Sequence, residues 1–414
     1  MLRAGAWRGL GDLLDFATEQ VTVTIEGVHN AAADRWFGLA GSRAAPVRLA
    51  HRAFTAGIYG SVRVAGSALG TVVGLVGDIA GGRTGVRASR ISPSWNRAQA
   101  VANAAWGDEF ERRDNDLQIE LGLRNPEGLV IRPDPVGLAD AFLEPTGRLV
   151  VLLHGLGQTE RCWLGRESDA ETTLGLSDVL ASDSLVPLLV RYNTGRHVSE
   201  NGHALAILVE RIVNAWPVPV VEVALVGGSM GGLVARSSVH AGRDCGHRWT
   251  TMVRHVVTLG SPHLGAPLEK MANVISWGLR TAPEARPLGS LLDGRSAGIK
   301  DLRFGAIRED DWRGADPDAL LCDAVGEQAK PEGVELHFVA GVVTADPGHR
   351  FGAVVGDLMV RISSGTGRGR RRQIEATDVR VLGGRHHFHL AHDRAVHQQV
   401  RDWLTTTPSR RPPA

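Results

Sequence analysis

The sequence predicts an α/β fold in which a mostly parallel β-sheet is flanked by helices. Three short apolar runs, Leu149–Leu153, Val186–Tyr192 and residues 220–226, are typical of strands buried on both faces. After the second run, apolar residues recur at intervals of three and four until Pro217, which is the pattern of an amphipathic helix. After the third run, a glycine-rich turn leads into another helix pattern. Strands that alternate with helices in this way favour a parallel sheet.

Ser229 is the residue most clearly marked for chemistry. It is the central residue of Gly227–Gly231, which fits the pattern G-x-S-x-G. In this pattern the chain turns so sharply between a strand and a helix that the serine is strained, and the glycines remove side chains that would crowd it. The string alone is a weak signal in a chain with 51 glycines. Because a strand pattern precedes it and a helix pattern follows it, we interpret Ser229 as a nucleophile rather than part of a glycine-rich turn.

A second glycine-bounded segment, His154–Gln158, follows the run Leu149–Leu153. Hydrolases with a nucleophile elbow take one oxyanion-hole N–H from the residue after the serine and another from a loop after an earlier strand. Here those residues would be Met230 and Leu156. Backbone donors aimed at a developing oxyanion lower the barrier by a few kcal/mol each, which gives this loop a chemical role. An ordinary strand-to-helix turn is the alternative.

Four motifs together indicate a family. They are His154–Gly157 with Trp163 downstream, Arg191–Gly195, Gly227–Arg236 and Leu259–Pro267. The chain thereby resembles the α/β-hydrolase lipases, in particular the bacterial triacylglycerol-lipase-like and GPI-inositol-deacylase-like branch, over roughly residues 115–407. The resemblance implies an α/β-hydrolase fold. The chain departs from the family at Gly228, where a histidine commonly precedes the nucleophile.

Two aspartates compete for the triad acid, which must follow the serine and precede the histidine along the chain. Asp346 comes just after the predicted strand Glu335–Val343, a position where many α/β-hydrolases hold the acid. Asp357 lies in a segment similar to the Gly-Asp-Gly-Leu-Val segment that supplies the acid in bacterial lipases, although Leu358 stands where that family often has glycine. We favour Asp357 and keep Asp346 as the alternative. Either could instead be a turn or capping aspartate.

Several histidines precede or begin an amphipathic helix pattern near the C-terminus. The lipase pattern of His, an apolar residue, any residue and then Leu assigns the base to His387, with His389 as the alternative. The whole group also suggests a metal site, but no cysteine and no Glu-x-x-His pair accompanies it, so we expect no metal. The group consists of His386, His387, His389, His392 and His397.

These residues predict a serine-dependent hydrolase of carboxylic esters that acts on lipid-like substrates and needs no cofactor. His387 would accept the Ser229 proton while the carboxylate fixes its tautomer. An acyltransferase, thioesterase or peptidase with the same triad, or a non-catalytic lipid-binding protein, are the alternatives. The net charge of +1 gives no indication of a nucleic-acid partner.

The chain of 414 residues is predicted to divide into three parts. Residues 1–105 form a helical N-terminal extension, residues 106–407 the catalytic domain, and residues 408–414 a disordered tail. The first strand candidate is Leu117–Leu123. Within the catalytic domain, residues 268–333 lack a strand pattern and are interpreted as a cap or lid insertion. Its apolar members are Trp277, Leu279, Leu288, Leu291 and Leu292.

The N-terminal extension contains the least polar part of the chain, Phe54–Ala80. Its uncharged run, Val64–Gly77, is shorter than the ~20 residues of a membrane span. Gly66, Gly70 and Gly74 lie on one helix face and permit close helix–helix approach. We therefore favour a helical hairpin packed on the catalytic domain, and peripheral membrane contact remains the alternative.

Cellular location is predicted from the three cysteines and the N-terminus. The cysteines are few and widely spaced, which favours free thiols in a reducing compartment. The N-terminus lacks the continuous apolar segment of a secretion signal. These features predict a cytoplasmic protein, with membrane association as an open alternative.

Overall fold

The computed structural model describes residues 6–39, 45–83, 93–167, 172–266, 295–314, 325–326 and 329–405. The five apolar residues named for the predicted lid and the predicted tail 408–414 lie outside these ranges, as does Cys322. Cys245 is a free thiol.

Helices occur along the whole described chain. The helices are α1 Ala6–Leu39, α2 Ala45–Arg83, α3 Pro93–Arg112, α4 Pro135–Ala141, α5 Leu176–Ala181, α6 Val198–Ala215, α7 Met230–Asp244, α8 Ala297–Asp301, α9 Arg350–Val355, α10 Ile362–Gly365 and α11 Arg394–Thr405. Within the described residues, no helix combines the length and apolar character that crossing a bilayer requires.

The described residues also form ten strands. The strands are β1 Gly122–Arg124, β2 Val130–Ile131, β3 Arg148–Leu153, β4 Arg166–Glu167, β5 Thr172–Thr173, β6 Val186–Arg191, β7 Glu222–Gly228, β8 Val253–Leu259, β9 Glu335–Val342 and β10 Asp378–Gly383. Eight of them form one sheet in the order β10-β9-β8-β7-β3-β6-β1-β2. The pairs from β10 to β6 are parallel, and β1 is antiparallel to β6 and β2. The α/β fold with a mostly parallel sheet is therefore confirmed.

Each face of the sheet is covered by helices, and this explains the continuous apolar runs in the sequence. The larger apolar cluster joins the sheet to α6 and α7, and includes Leu205, Val209 and Leu233. The second cluster joins the opposite face to α5 and α11, and includes Leu180 and Val400. All the carboxyl ends of the parallel strands lie at one edge of this sandwich, which is where ligands bind in open α/β sheets.

One sequence-predicted strand is largely absent. Only Gly122 and Leu123 of the predicted strand Leu117–Leu123 belong to β1. The preceding residues are instead held by side chains of α3, because Asn103 Nδ2 donates to Leu117 O (2.8 Å) and Ile119 N–H donates to Asn103 Oδ1 (3.0 Å). These side-chain bonds replace the pairing with a neighbouring strand.

Helix α3 packs directly on the loops beside the sheet, and the predicted boundary at residue 105 falls within this helix. Asn193 Nδ2 donates to Gly107 O (2.8 Å), and Ser296 Oγ donates to Ala104 O (2.6 Å). At Gly107 a Cβ would lie 1.9 Å from Asn193 Oδ1, so the helix approaches the loop after β6 as closely as its backbone allows. A cut at residue 105 would divide this helix.

Helices α1 and α2 form the N-terminal hairpin. At Gly66 a Cβ would lie 2.4 Å from the Thr18 side chain, and at Gly70 it would lie 2.4 Å from Gly11 O. Arg63 and Glu26 form an ion pair between the helices (2.6 Å). The glycine face identified in the sequence therefore lies against the partner helix of the hairpin.

Candidate active site

Ser229 lies at the turn between β7 and α7, with φ 52° and ψ −123°. The chain is too tight here for side chains on either flank. At Gly227 a Cβ would lie 2.3 Å from the Gly231 backbone, and at Gly231 it would lie 2.3 Å from Leu153 O. Ser229 N–H donates to Leu259 O (2.8 Å), which holds the turn against the end of β8. This is the strained strand-to-helix elbow that exposes a serine hydroxyl above a parallel sheet.

Three polar side chains form a continuous hydrogen-bonded chain at this point. His387 Nε2 lies 2.9 Å from Ser229 Oγ, and His387 Nδ1 lies 2.7 Å from Asp357 Oδ2. Asp357 and His387 are buried, with 1% and 9% of their surface exposed. A neutral imidazole in this position donates from Nδ1 to the carboxylate and accepts from the serine hydroxyl at Nε2.

The backbone holds the Asp357 carboxylate in place. Oδ1 accepts the N–H groups of Met359 (3.0 Å) and Val360 (2.8 Å), which leaves Oδ2 to the imidazole. His387 N–H also donates to Asp357 O (3.0 Å). Leu358 next to it has φ +81°, a backbone region that L residues rarely adopt. This φ gives a physical reason for the glycine that bacterial lipases often carry at this place.

The alternative acid and base from the sequence lie apart from the serine. Asp346 is exposed, and its Oδ1 accepts Gly348 N–H (2.8 Å) within a turn. His389 is exposed and stacks on His386, with the ring centroids 3.4 Å apart. The structure therefore brings Asp357 and His387 to Ser229, and neither Asp346 nor His389 takes part in the hydrogen-bonded chain.

The predicted oxyanion-hole loop lies against the elbow. At Gly155 a Cβ would lie 3.1 Å from Ser229 Cβ. Gly155 N–H donates to Gln158 Oε1 (3.0 Å) and Gly157 N–H donates to Thr194 Oγ1 (3.2 Å). Leu156 N–H between them has no acceptor among the described residues, and the same holds for Met230 N–H at the first turn of α7. Both predicted donors are thus free for a ligand.

His154 supports this loop, a role that the sequence motif did not reveal. Its Nδ1 donates to Gly155 O (2.9 Å), and its Nε2 accepts Tyr192 N–H (3.3 Å). The Tyr192 hydroxyl donates to His154 O (2.6 Å), and the two rings stack. Burial lowers the pKa of His154 to about 4, so the ring is neutral at physiological pH. The buried pair connects the end of β3 to the end of β6.

Comparison with known families agrees with this geometry. Residues 190–281, which contain β7, Ser229 and β8, match the family described as the PGAP1-like alpha/beta domain. This match and the order of the parallel strands together support a lipase/esterase-like α/β-hydrolase. This finding confirms the resemblance drawn from the four sequence motifs.

Solved structures similar to this hydrolase include a gene product of Listeria innocua, with 13% identity and a TM-score of 0.37. The similarity covers 64% of this chain and 96% of that one. A lipase-esterase related protein from Clostridium acetobutylicum has 12% identity, coverage of 62% and 94%, and a TM-score of 0.34. An esterase of Pyrobaculum calidifontis has 16% identity, coverage of 62% and 75%, and a TM-score of 0.33. No curated protein sequence matches the chain.

The two candidate acids of this α/β-hydrolase are separated by a matched pair of substitutions. We expect Asp357→Asn to lower kcat by about 10³–10⁴-fold, because an amide cannot stabilise the imidazolium and favours the wrong tautomer. Asp346→Asn removes the same charge from an exposed turn and should leave kcat within about twofold. Steady-state ester hydrolysis measures both. The reverse ranking would move the acid to the end of β9.

Buried histidines predict that the hydrolase loses stability in mild acid. Burial lowers the pKa values of several histidines outside the triad, among them His154, His240, His263 and His397, and nearby arginines lower the pKa values of the first three further. Below their unfolded pKa of ~6.5 the unfolded chain binds more protons than the folded one, so the free energy of unfolding falls as pH falls. Burial lowers the pKa of His197, but the hydrogen bond and charge of Asp301 outweigh burial and raise it. His197 therefore adds stability as pH falls. We expect Tm to fall steadily between about pH 7 and pH 5 in thermal melts. A constant Tm across this window would contradict the prediction.

Proposed function

We propose that the protein is a serine carboxylic-ester hydrolase that works through Ser229, His387 and Asp357 and forms an acyl-enzyme. The observation that carries the proposal is the hydrogen-bonded chain from Ser229 Oγ through His387 to Asp357, with distances of 2.9 and 2.7 Å. Serine is a weak nucleophile until a neighbouring base accepts its proton. The elbow, the oriented base and the buried carboxylate together supply that activation.

The proposed reaction has two halves. As Ser229 Oγ attacks the ester carbonyl carbon, its proton passes to His387 Nε2, and the oxyanion accepts hydrogen bonds from Leu156 and Met230 N–H. Collapse of this intermediate breaks the ester C–O bond, and His387 returns the proton to the leaving alcohol. Water then gives a proton to His387 as it attacks the acyl-serine. Collapse of this second intermediate breaks the bond between the acyl carbon and Ser229 Oγ, His387 returns the proton to Ser229 Oγ, and the acid is released. Asp357 stays ionised and stabilises the imidazolium in both halves.

We propose lipid-like esters as the substrate class. Three large apolar side chains are exposed on the segments that carry the acid and the base: Val354 (62%), Leu358 (64%) and Phe388 (57%). Phe388 directly follows His387, and Leu358 directly follows Asp357. An apolar rim beside a polar catalytic centre suits a substrate with an acyl chain, because the chain can cover this surface from water.

The experiment that tests the proposal is hydrolysis of p-nitrophenyl esters over a series of acyl lengths. We expect turnover to rise from acetate to medium-chain esters and to vanish in the Ser229→Ala variant. Turnover that falls steadily with acyl length would contradict the lipid-like class. Product analysis with a competing alcohol separates hydrolysis from acyl transfer, and thioester and amide panels separate the ester hydrolase from a thioesterase or peptidase.

We further propose that the hairpin of α1 and α2 contacts a lipid surface peripherally, which would bring a cytoplasmic enzyme to an aggregated substrate. Apolar side chains on both helices are exposed. They include Val21, Val23, Ile25, Val62, Val64, Leu69 and Val72, each at least 44% exposed. Large apolar side chains exposed in this number are a candidate interaction surface. The hairpin also contacts the catalytic domain, where Phe16 lies against Trp106.

Two truncations separate the role of the hairpin from that of α3. Removing residues 1–105 divides α3. It also removes the hydrogen bonds that Asn103 and Ala104 make to the catalytic domain, so we expect insoluble protein. Removing residues 1–92 keeps α3, and we expect a soluble enzyme that is active on p-nitrophenyl esters but sediments less with liposomes and hydrolyses emulsions more slowly. If the shorter truncation sedimented with liposomes as the full chain does, the membrane role would be wrong.

A further inference from the structure

A cluster of side chains that could bind a metal lies at the amino ends of two parallel strands. Ser229 lies at the opposite, carboxyl ends of the strands. His255 is near the start of β8, and Glu335 and His337 are at the start of β9. His255 pairs with Glu335 in the register of the two parallel strands. His337 is two residues beyond Glu335, so it projects from the same face of the sheet. Strand register therefore places two imidazoles and one carboxylate side by side.

The three ligand atoms form a nearly equilateral triangle. His255 Nδ1 lies 3.2 Å from His337 Nε2 and 3.4 Å from Glu335 Oε2, and the latter two atoms are 3.5 Å apart. Zn²⁺ binds imidazole nitrogen and carboxylate oxygen at about 2.0–2.2 Å, so two ligands of a tetrahedral ion are about 3.3–3.5 Å apart. The measured distances match three vertices of that tetrahedron.

Hydrogen bonding alone does not satisfy the triangle while the imidazoles are neutral. If only one of His255 Nδ1 and His337 Nε2 carries a proton, the other nitrogen and the Glu335 oxygen direct lone pairs at each other. If both carry protons, the two N–H groups of His255 and His337 meet donor to donor at 3.2 Å. A single cation between the three atoms makes all three contacts favourable, because each atom then directs a lone pair at positive charge.

The surroundings of the triangle resemble the outer shell of a metal site. Glu222 Oε1 lies 3.8 Å behind His255 Nε2, and Arg148 holds the other carboxylate oxygen (3.2 Å). A carboxylate behind a ligating histidine is the usual means of orienting its ring. Trp403 of α11 stacks on His337, and its Nε1 donates to Asp378 Oδ2 (3.1 Å). His255 and His337 are 2% and 3% exposed, whereas the Glu335 side chain is 37% exposed and leaves one side open to water.

We propose that His255 Nδ1, His337 Nε2 and Glu335 Oε2 bind a Zn²⁺ ion, with water as the fourth ligand. The ion would join β8 to β9 below the point where α11 covers the sheet. It lies at the amino ends of the strands, away from the hydrolytic chain at their carboxyl ends. Its role is therefore structural, and ester turnover does not pass through it.

The test uses the full chain after treatment with a chelator. We expect calorimetric titration with ZnCl₂ to give one saturable equivalent, and Tm to rise by several degrees at saturation because the ion binds only the folded state. Co²⁺ in the same site should give the intense visible absorption of tetrahedral coordination. An absence of saturable Zn²⁺ binding to the full chain would overturn the proposal.

Substitutions assign the ion to this cluster. Glu335→Gln changes a half-exposed group, should leave the fold intact, and should weaken Zn²⁺ binding at least tenfold. His337→Gln should abolish saturable binding. The control is a His386→Gln and His389→Gln double variant, which alters a stacked histidine pair outside the cluster and should bind Zn²⁺ as the parent chain does. If the control no longer bound one equivalent of Zn²⁺, or if Glu335→Gln bound Zn²⁺ with full affinity, the assignment would be wrong. The Glu335→Gln result decides the question even if the His337→Gln variant does not fold.

Discussion

Ser229→Ala is expected to abolish both ester turnover and labelling by a fluorophosphonate. Removal of the nucleophile of a triad lowers kcat by about 10⁵–10⁶-fold, because the remaining oxyanion hole and binding groups give only a small residual rate. The fold should be retained, since the loss of one hydroxyl at the elbow removes little packing. Turnover, gel-based labelling and circular dichroism measure the three properties.

The matched control for this experiment is Ser182→Ala. The Ser182 hydroxyl is exposed and donates to Val179 O (2.7 Å) at the end of α5, away from the elbow. This variant should label and turn over substrate as the parent chain does. Labelling that survived in Ser229→Ala, or disappeared in Ser182→Ala, would show that the nucleophile lies elsewhere.

His387→Ala is expected to reduce turnover almost as severely as the loss of the serine. The imidazole lies 2.9 Å from Ser229 Oγ. Its removal takes away the group that accepts the serine proton and later gives a proton to the leaving alcohol. Triad members act as a unit, so the loss of kcat should again be about 10⁵–10⁶-fold. Fluorophosphonate labelling should also become very slow, because labelling needs the same activated hydroxyl.

His389→Ala provides the control within the same segment. Its ring is exposed and stacks on His386, so the substitution should keep most of the turnover. The comparison also tests the alignment with the lipase pattern, in which the two histidines differ by two positions. An inactive His389→Ala beside an active His387→Ala would assign the base to the other histidine.

The nucleophile elbow is the part of the site that the sequence predicted in most detail. A strand, a sharp turn and a helix occupy consecutive residues, and Gly227 and Gly231 are required because the neighbouring backbone lies within 2.3 Å of where their Cβ atoms would be. Such requirements are local, so the residue types record them directly. The apolar runs predicted the buried parallel strands for the same reason, since both faces of each strand are covered.

Other features depended on distant parts of the chain. Residues 117–121 have an apolar pattern typical of a strand, but Asn103 of α3 supplies the hydrogen bonds that a neighbouring strand would have supplied. The sequence left Asp346 and Asp357 open as candidate acids because both follow β9 within a short stretch. The distinction depends on which carboxylate reaches the His387 ring, and that is a property of the folded loops.

By itself, then, the sequence determined the α/β class, the elbow at Ser229 and the candidate oxyanion donors, because each depends on neighbouring residues and on the burial of short runs. Only the tertiary structure decided which acid and which histidine meet the serine. It also decided that His255, 80 positions before Glu335 (335 − 255), shares one triangle with Glu335 and His337. The physical reason is strand register: two parallel strands joined by a long connection can pair in several alignments, and only packing of the whole core selects one.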